Sequence, residues 1–433
     1  MRPLLDIFRR HPVGFWFIFW AELAERASFY GMRVLLAMYL AEVFHFTESR
    51  SAATVQIFMA VCYLLPLAGG WLADRYLGRY RTIVYFSVPY ILGHVILGSL
   101  TTPFFLYTAL LLLAMGSGAI KPNTSTLMGL MYEKAGKDAY LTEAFSYFYL
   151  AINVGAAVSS LSLPLVRNAY GYATALMFPT VLMAAALAIF IVGRRFYPEE
   201  KPGRARPVLT VAESGREKAV MRRLAAVFGL LAVFWLVYDQ NASTWVFFAR
   251  SDMKLVIWPF GLPLTPDQLQ GLNPVLIIML TPVFNWMWRR REARRGAEIP
   301  ATHKMMVGFI LVTACMFWMS MAGYLSETGQ VSVWFIVLAT IIMAMAELCV
   351  SVVGLHFAFT EATPRMKSTV MAAFLLSQFL GDGLGAGIDR LYGTWSHGDY
   401  FGLQALIIAA NSAAFYFVAR SYQKWKKRTE SAE

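Results

Sequence analysis

Four charged residues stand close together inside the first long apolar stretch of the sequence. They are Glu22, Glu25, Arg26 and Arg33. At about 100° per residue, an α-helix places all four on roughly one third of its circumference. Two carboxylates beside one guanidinium repel each other, so one of them is a candidate for reversible protonation. The spacing predicts a proton-binding stripe on one helix face. The alternative is a static ion-pair network that only holds helices together.

Three other apolar stretches contain a charged residue that is costly to place in hydrocarbon: Lys121, Asp239 and Glu347. If the chain contains two repeats of six helices, the first and seventh helices are equivalent, and so are the fourth and tenth. Each equivalent pair then holds one cation and one anion, Arg33 with Asp239 and Lys121 with Glu347. We expect these pairs to act as gates that form on one side of a cavity and break on the other. For Lys121, the alternative is a side chain that extends to the membrane surface.

Composition shows what kind of chain must position these charges. Of 433 residues, 58% are apolar or aromatic and only 15% are charged. A soluble domain has about 45–50% apolar and about 25% charged residues. This excess of apolar side chains excludes a disordered chain, a coiled coil and an ordinary cytosolic enzyme, and indicates an integral membrane protein.

The apolar residues form stretches of the length that a spanning helix requires, about 20 residues. No alternation typical of a membrane β-barrel is visible. We therefore predict an all-α protein with twelve transmembrane helices, at 13–42, 51–74, 81–101, 103–131, 140–166, 172–194, 221–248, 269–288, 304–325, 331–360, 367–390 and 400–420.

Basic residues concentrate in alternate loops, most strongly in the segment after the sixth stretch and in the Arg-rich run 289–295. By the positive-inside rule, this pattern places both termini in the cytoplasm of a cell-membrane protein. The net charge of +12 then reflects topology and attraction to anionic lipid. Nucleic acid is not an expected partner, because the charge is divided among many short loops.

A polar linker divides the stretches into two groups of six. It covers about 195–220 and contains Pro198, Pro202, Gly203 and Pro207. We predict an N-terminal six-helix bundle over 1–194 and a C-terminal bundle over 221–433. Two pseudo-symmetric bundles of this kind describe the major facilitator fold, in which substrate binds near the midplane. The segment 69–79, GGWLADRYLGR, resembles the loop motif between helices two and three of that superfamily.

Several segments resemble the proton-dependent oligopeptide transporters, the POT or PTR family. Residues 22–31, ELAERASFYG, resemble the family motif ExxERFxYYG, and residues 148–155, FYLAINVG, match its FYxxINxG signature. The runs that end at Asn123 and Gln240 also fit. Departures occur at Ala27 and Phe29 within the first motif, and at Val352 and Phe374, where the family usually has Pro and Trp. The linker is too short for the additional helix pair of many prokaryotic relatives.

The resemblance implies a role for each site residue. Glu22 and Glu25 would couple protons, with Arg26 as their counter-ion. Arg26, Tyr30 and Lys121 would bind the carboxylate of a peptide. Its amino group would bind Asn153, Asn273 and Glu347. Tyr63 corresponds to a tyrosine of the binding cavity.

We therefore expect a proton-coupled symporter that imports di- and tripeptides and functions as a monomer. The proton is the coupling ion, and no metal or other cofactor is implied. No nucleotide-binding loop or nucleophile elbow suggests an enzyme. Two alternatives stay open: a transporter of another small amphoteric or acidic solute, or a non-transporting sensor on the same fold.

Overall fold

The computed structural model describes residues 10–200, 203, 211–257, 259–361 and 367–430. Within these ranges the chain is nearly all helical, with thirteen α-helices, several 3₁₀ or π-helical turns and four strands of two residues. Ten helical segments of this part are long and apolar enough to cross a membrane. The prediction of a helical membrane protein is confirmed at this level.

The chain forms two compact units. The N-terminal unit consists of Met1–Phe46 and Val61–Arg206, and the C-terminal unit of Thr47–Ala60 and Pro207–Glu433. The first part of the second helix thus belongs to the C-terminal unit.

The N-terminal unit is built from long helices, and its first and fifth helices pack closely on each other. Its helices are α1 (Val13–Glu42), α2 (Glu48–Leu72, from Val61 onward), α3 (Arg79–Ser99), α4 (Pro103–Lys134) and α5 (Leu141–Val192). A π-helical turn, Ala73–Leu77, follows α2, and 3₁₀ turns at Asp138–Tyr140 and Gly193–Phe196 flank α5.

A close crossing fixes α1 against α5. A Cβ atom on Gly155 would lie 2.5 Å from the carbonyl oxygen of Leu23 and 3.0 Å from the amide nitrogen of Ala27. Only glycine allows the two backbones to approach so closely. Because Leu23 and Ala27 bracket Glu25 and Arg26, this contact also fixes the height of the charged stripe.

The C-terminal unit has shorter helices and more breaks. Its helices are α6 (Val211–Tyr238), α7 (Thr244–Asp252), α8 (Leu272–Arg295), α9 (Ala301–Ser326), α10 (Trp334–Glu347), α11 (Val353–Glu361), α12 (Lys367–Ile388) and α13 (His397–Glu430). Between them lie 3₁₀ turns at Asp239–Ala242, Asp267–Gly271 and Asp389–Leu391. Strand β1 (Met253–Lys254) pairs in parallel with β4 (Val331–Ser332), and β2 (Val256–Ile257) pairs antiparallel with β3 (Leu262–Pro263).

Three helix boundaries differ from the sequence prediction. Helix α5 runs through both the fifth and the sixth predicted stretch, with a single break at Gly171, whose φ is +82°. Helix α6 begins at Val211, inside the predicted linker, because a polar sequence such as 212–219 can be helical without an apolar face. A π-helical turn, Leu348–Val352, separates α10 from α11 and supplies a distortion where the family proline is absent.

Candidate functional site

The charged stripe of α1 is an enclosed ion cluster. Glu22, Glu25 and Arg26 expose only 2%, 3% and 2% of their surface. The guanidinium of Arg26 donates from Nη2 to Glu25 Oε1 at 2.6 Å, and from Nε to Glu25 Oε2. Its Nε also lies 3.5 Å from Glu22 Oε1. The helix geometry predicted from the sequence therefore brings these three residues together as expected.

The two carboxyl groups of the cluster are not equivalent. Glu25 holds Arg26 through two parallel hydrogen bonds, the strong geometry of a carboxylate–guanidinium pair. Glu22 has an ion-pair distance to Arg26, but its Oε1 is buried without a hydrogen bond. One guanidinium thus serves two carboxyl groups unequally. A proton on either group would change how Arg26 is held.

A second cation of the same unit faces this cluster. Lys121 of α4 interacts electrostatically with Glu22, Glu25 and Arg26. Its Nζ lies 4.9 Å from the centre of the Tyr63 ring, which is a cation–π distance. The structure therefore gathers Lys121 and Tyr63 beside the stripe.

The remaining predicted site residues of the N-terminal unit are Arg33, Tyr30 and Asn153. Arg33 lies about two turns beyond Arg26 along α1, with its Cζ 5.9 Å from the ring centre of Tyr30. Asn153 of α5 is buried and donates from Nδ2 to the carbonyl oxygen of Tyr149 at 2.9 Å. This bond lies within its own helix.

In the C-terminal unit, Glu347 is held by two polar side chains. The Tyr238 hydroxyl donates to Glu347 Oε2 at 2.7 Å, and Asn273 Nδ2 donates to the same oxygen at 3.0 Å. The pairing of Asn273 with Glu347 agrees with their predicted common role. Tyr238 is not among the site residues that the sequence predicts, although it directly precedes Asp239 in the run that ends at Gln240.

Asp239 occupies a break in the helical path. It is the first residue of the 3₁₀ turn after α6 and is buried, and Gln378 Nε2 donates to its Oδ2 at 3.4 Å. Arg33 and Lys121 belong to the N-terminal unit, whereas Asp239 and Glu347 belong to the C-terminal unit. The two gate pairs stay predictions. Over the residues that the structure describes, no group of three His, Cys, Asp or Glu side chains could hold a metal ion.

Solved structures of membrane transporters share this fold. An in meso crystal structure of the POT family transporter PepTSo matches with a TM-score of 0.86 at 26% identity, over 96% of this chain and 99% of that one. A crystal structure of a POT peptide transporter in complex with alafosfalin matches with a TM-score of 0.82 at 25% identity, over 95% and 96%. The chain therefore has the helical membrane fold of these transporters, with a buried ion cluster in its N-terminal unit.

The sequence comparisons identify the family. The model of the POT family matches residues 80–215 and 206–400, so the chain belongs to the POT family, as the motifs predicted. Solute carrier family 15 member 2 of Mus musculus is 30% identical over 71% of this chain and 48% of its own length. The chain thus spans about half the length of this relative. Dipeptide and tripeptide permease B of Aliivibrio fischeri is 27% identical over 85% of this chain and 83% of its own length.

Proposed function

We propose that this protein is a proton-coupled symporter that imports di- and tripeptides by alternating access. The observation that carries the proposal is the enclosed cluster of Glu22, Glu25 and Arg26, in which one guanidinium is shared unequally by two carboxyl groups. The names of the relatives support the substrate class, since one is a dipeptide and tripeptide permease.

Each unit contributes one pole for a peptide zwitterion in this proposal. Arg26, Lys121 and Tyr30 bind the peptide carboxylate, with Tyr63 beside Lys121. Glu347 binds the amino group, and Asn273 already orients its carboxylate. Charge-assisted hydrogen bonds at both ends select for a free amino group and a free carboxylate.

Proton coupling follows from competition for Arg26. While Glu25 holds the guanidinium with two hydrogen bonds, a peptide carboxylate must displace it. A proton on Glu25 or Glu22 removes one negative charge from the cluster, so Arg26 becomes available to the peptide. The peptide and the proton therefore enter together. Release of both to the cytoplasm restores the ion pair.

The membrane arrangement of the proposal is twelve spans with both termini in the cytoplasm of the cell membrane, no additional helix pair and a monomeric protein. Three features support twelve spans. Ten helical segments are long and apolar enough to cross a membrane. Helix α1 is of similar length but carries charged residues, and the break at Gly171 divides one of the ten segments into two. The proton is the coupling ion, and no cofactor is needed.

The full chain reconstituted in liposomes tests the proposal. An inward proton gradient should drive accumulation of labelled dialanine, and an uncoupler should abolish it. Unlabelled di- and tripeptides should compete, whereas free amino acids should not. Arg26→Ala should lose uptake, and Arg10→Ala, at an exposed arginine, should retain it. If other amphoteric solutes compete and peptides do not, the protein is a transporter of those solutes and not of peptides. Absence of both uptake and counterflow would favour the sensor.

A further inference from the structure

A buried carboxyl group of the C-terminal unit is not used by the proposed mechanism. Asp389 is fully buried and begins the 3₁₀ turn that directly follows Ile388, the last residue of α12. The C-terminal end of a helix carries a partial negative charge, which opposes a carboxylate at this place. Within the described ranges, no basic side chain forms an ion pair with Asp389. A charge here would therefore be costly.

The contacts of Asp389 form a short hydrogen-bonded chain. The Tyr400 hydroxyl is 3.1 Å from Asp389 Oδ1 and 2.8 Å from Gln240 Oε1. The Thr244 hydroxyl donates to the same Gln240 oxygen at 2.6 Å. The other carboxyl oxygen, Asp389 Oδ2, is buried without a hydrogen bond. The chain thus connects Asp389 with the 3₁₀ turn Asp239–Ala242.

Counting hydrogens shows that one of the two Tyr400 contacts lacks a hydrogen when Asp389 is ionised. A tyrosine hydroxyl carries a single hydrogen, yet Tyr400 faces two acceptor oxygens, one on Asp389 and one on Gln240. If Asp389 is protonated, its own hydroxyl can donate to the Tyr400 oxygen, and Tyr400 then donates to Gln240. One added proton satisfies every contact of the chain.

The orientation of the Gln240 amide supports this count. Its Nε2 donates to the carbonyl oxygen of Leu236 at 3.3 Å. The reversed orientation would place two carbonyl oxygens at that distance. The oxygen of the amide therefore faces Thr244 and Tyr400 and acts as an acceptor for both.

Other titratable groups surround this place at a greater distance. Tyr392 interacts electrostatically with Asp389, Glu48 and Asp252, and its ring stacks on His397 with centroids 5.0 Å apart. His397 Nδ1 lies 3.3 Å from Asp252 Oδ2, and Glu48 faces Arg250. Arg390 follows Asp389 in the chain and is exposed. The charged groups thus pair with one another and leave Asp389 with neutral partners.

We propose that Asp389 is a second proton-binding site, and that its proton sets the hydrogen bonding of the turn that carries Asp239. When Asp389 binds a proton, Tyr400 donates to Gln240 and holds the turn. When the proton leaves, Tyr400 can donate to the carboxylate, and Gln240 loses that contact. This coupling to transport rests on the proposed proton-driven function, whereas proton binding itself does not.

Infrared difference spectroscopy of the purified full chain tests proton binding without transport. The native protein should show carbonyl stretches of protonated carboxylic acids, and we expect one of these bands to belong to Asp389 and to be lost as the pH rises. Asp389→Asn should lose this band. Asp399→Asn, at an exposed acid of α13 bonded to Tyr324, should keep it. Tyr400→Phe should keep the band with a shifted midpoint, which a purely structural role of Asp389 would not produce. A band unchanged in Asp389→Asn overturns the proposal.

The same variants in liposomes connect the site with transport. Uptake by the native protein should depend on external pH through a step that Asp389→Asn loses and Asp399→Asn retains. If the infrared band belongs to Asp389 but no proton-driven uptake occurs, the proposed function fails and the binding site stands. If uptake is proton-driven and the pH profiles of Asp389→Asn and the native protein superimpose, the coupling to the turn is wrong.

Discussion

The buried carboxyl groups of the two units differ in their neighbours. In the N-terminal unit, Glu22 and Glu25 share the guanidinium of Arg26, and Lys121 faces them. In the C-terminal unit, Asp389 faces the hydroxyl of Tyr400 and the amide of Gln240. The first arrangement suits a carboxylate that exchanges its cation with a substrate. The second suits a group that binds a proton and nothing else.

This difference predicts two levels of effect for the same chemical change. Replacing a carboxylate by an amide removes the charge and nearly keeps the shape. At Glu22 or Glu25 the change permanently frees Arg26 from one of its two anions, so the exchange on which coupling depends is lost. At Asp389 it imitates the protonated state and should alter only the response to pH.

The largest expected effect is therefore at the α1 cluster. Glu22→Gln and Glu25→Gln should each abolish accumulation driven by a proton gradient while the protein stays folded. Counterflow needs no net proton movement and should survive better in at least one of them. Uptake and counterflow in liposomes measure both. If both variants still accumulate peptide against a gradient, the coupling role of the cluster is wrong.

The next effect concerns Lys121 and Glu347, the second cation of one pole and the anion of the other. Lys121→Ala and Glu347→Ala should each lose transport, because each removes a charge that binds peptide. Exchanging the two charges should not restore it, since the peptide would then meet the wrong pole. Lys134→Ala, at an exposed lysine of the same helix α4, is the control. Full activity of the exchanged protein would show a purely structural pair.

A smaller and reversible effect is expected at Arg33 and Asp239, the gate pair predicted from the first and seventh helices, which we expect to close the outer side. Neither Arg33 nor Asp239 serves as a pole for the peptide in this scheme. Removing either charge should impair transport, whereas Arg33→Asp combined with Asp239→Arg should restore part of it. Spin labels at the outer ends of α1 and α6 should report a changed distance distribution when the pair is broken. An unchanged distribution, with and without a proton gradient, would reduce the pair to a static contact.

Local patterns in the sequence are sufficient to predict much of this architecture. The first stretch, predicted at 13–42, is the helix Val13–Glu42, because a long apolar run fixes both its ends. The ion cluster followed from the same periodicity, since Glu22, Glu25 and Arg26 need no other element to meet. Contacts between distant segments were not predictable. Tyr238 reaches Glu347 across 109 positions, and Tyr400 reaches Gln240 across 160.

The crossing of α1 and α5 should affect stability more than chemistry. Gly155→Ala places a methyl group 2.5 Å from the carbonyl oxygen of Leu23, so the helices must separate. Overpacking of this kind typically costs about 1–3 kcal/mol. Thermal unfolding in detergent should show a lower Tm than for Gly129→Ala, where no atom lies within 4 Å of the added methyl group and helix propensity favours alanine. Equal Tm values would mean that the backbones do not meet closely at this crossing.

The smallest expected effect concerns a third buried titratable group, His11, which lies just before α1 and outside the spanning segments. His11 is 2% exposed, with Nδ1 2.5 Å from the Tyr132 hydroxyl and Nε2 3.9 Å from Glu143 Oε1. Burial lowers the pKa of His11 below its usual 6.5, and Glu143 only partly opposes this. The unfolded chain therefore binds a proton at a higher pH than the folded protein does. Stability is present in full above about pH 6.5 and decreases as the pH falls toward the folded pKa.

Replacing His11 should remove this part of the acid sensitivity. His11→Asn should show a smaller decrease of Tm between neutral and mildly acidic pH than the native protein. His303→Asn, at an exposed histidine, should decrease as the native protein does. The two groups respond to acid in opposite senses. Burial favours the neutral form of His11, so protonation there disfavours the fold, whereas protonation of Asp389 completes its hydrogen bonds. A larger acid decrease in His11→Asn would contradict this assignment.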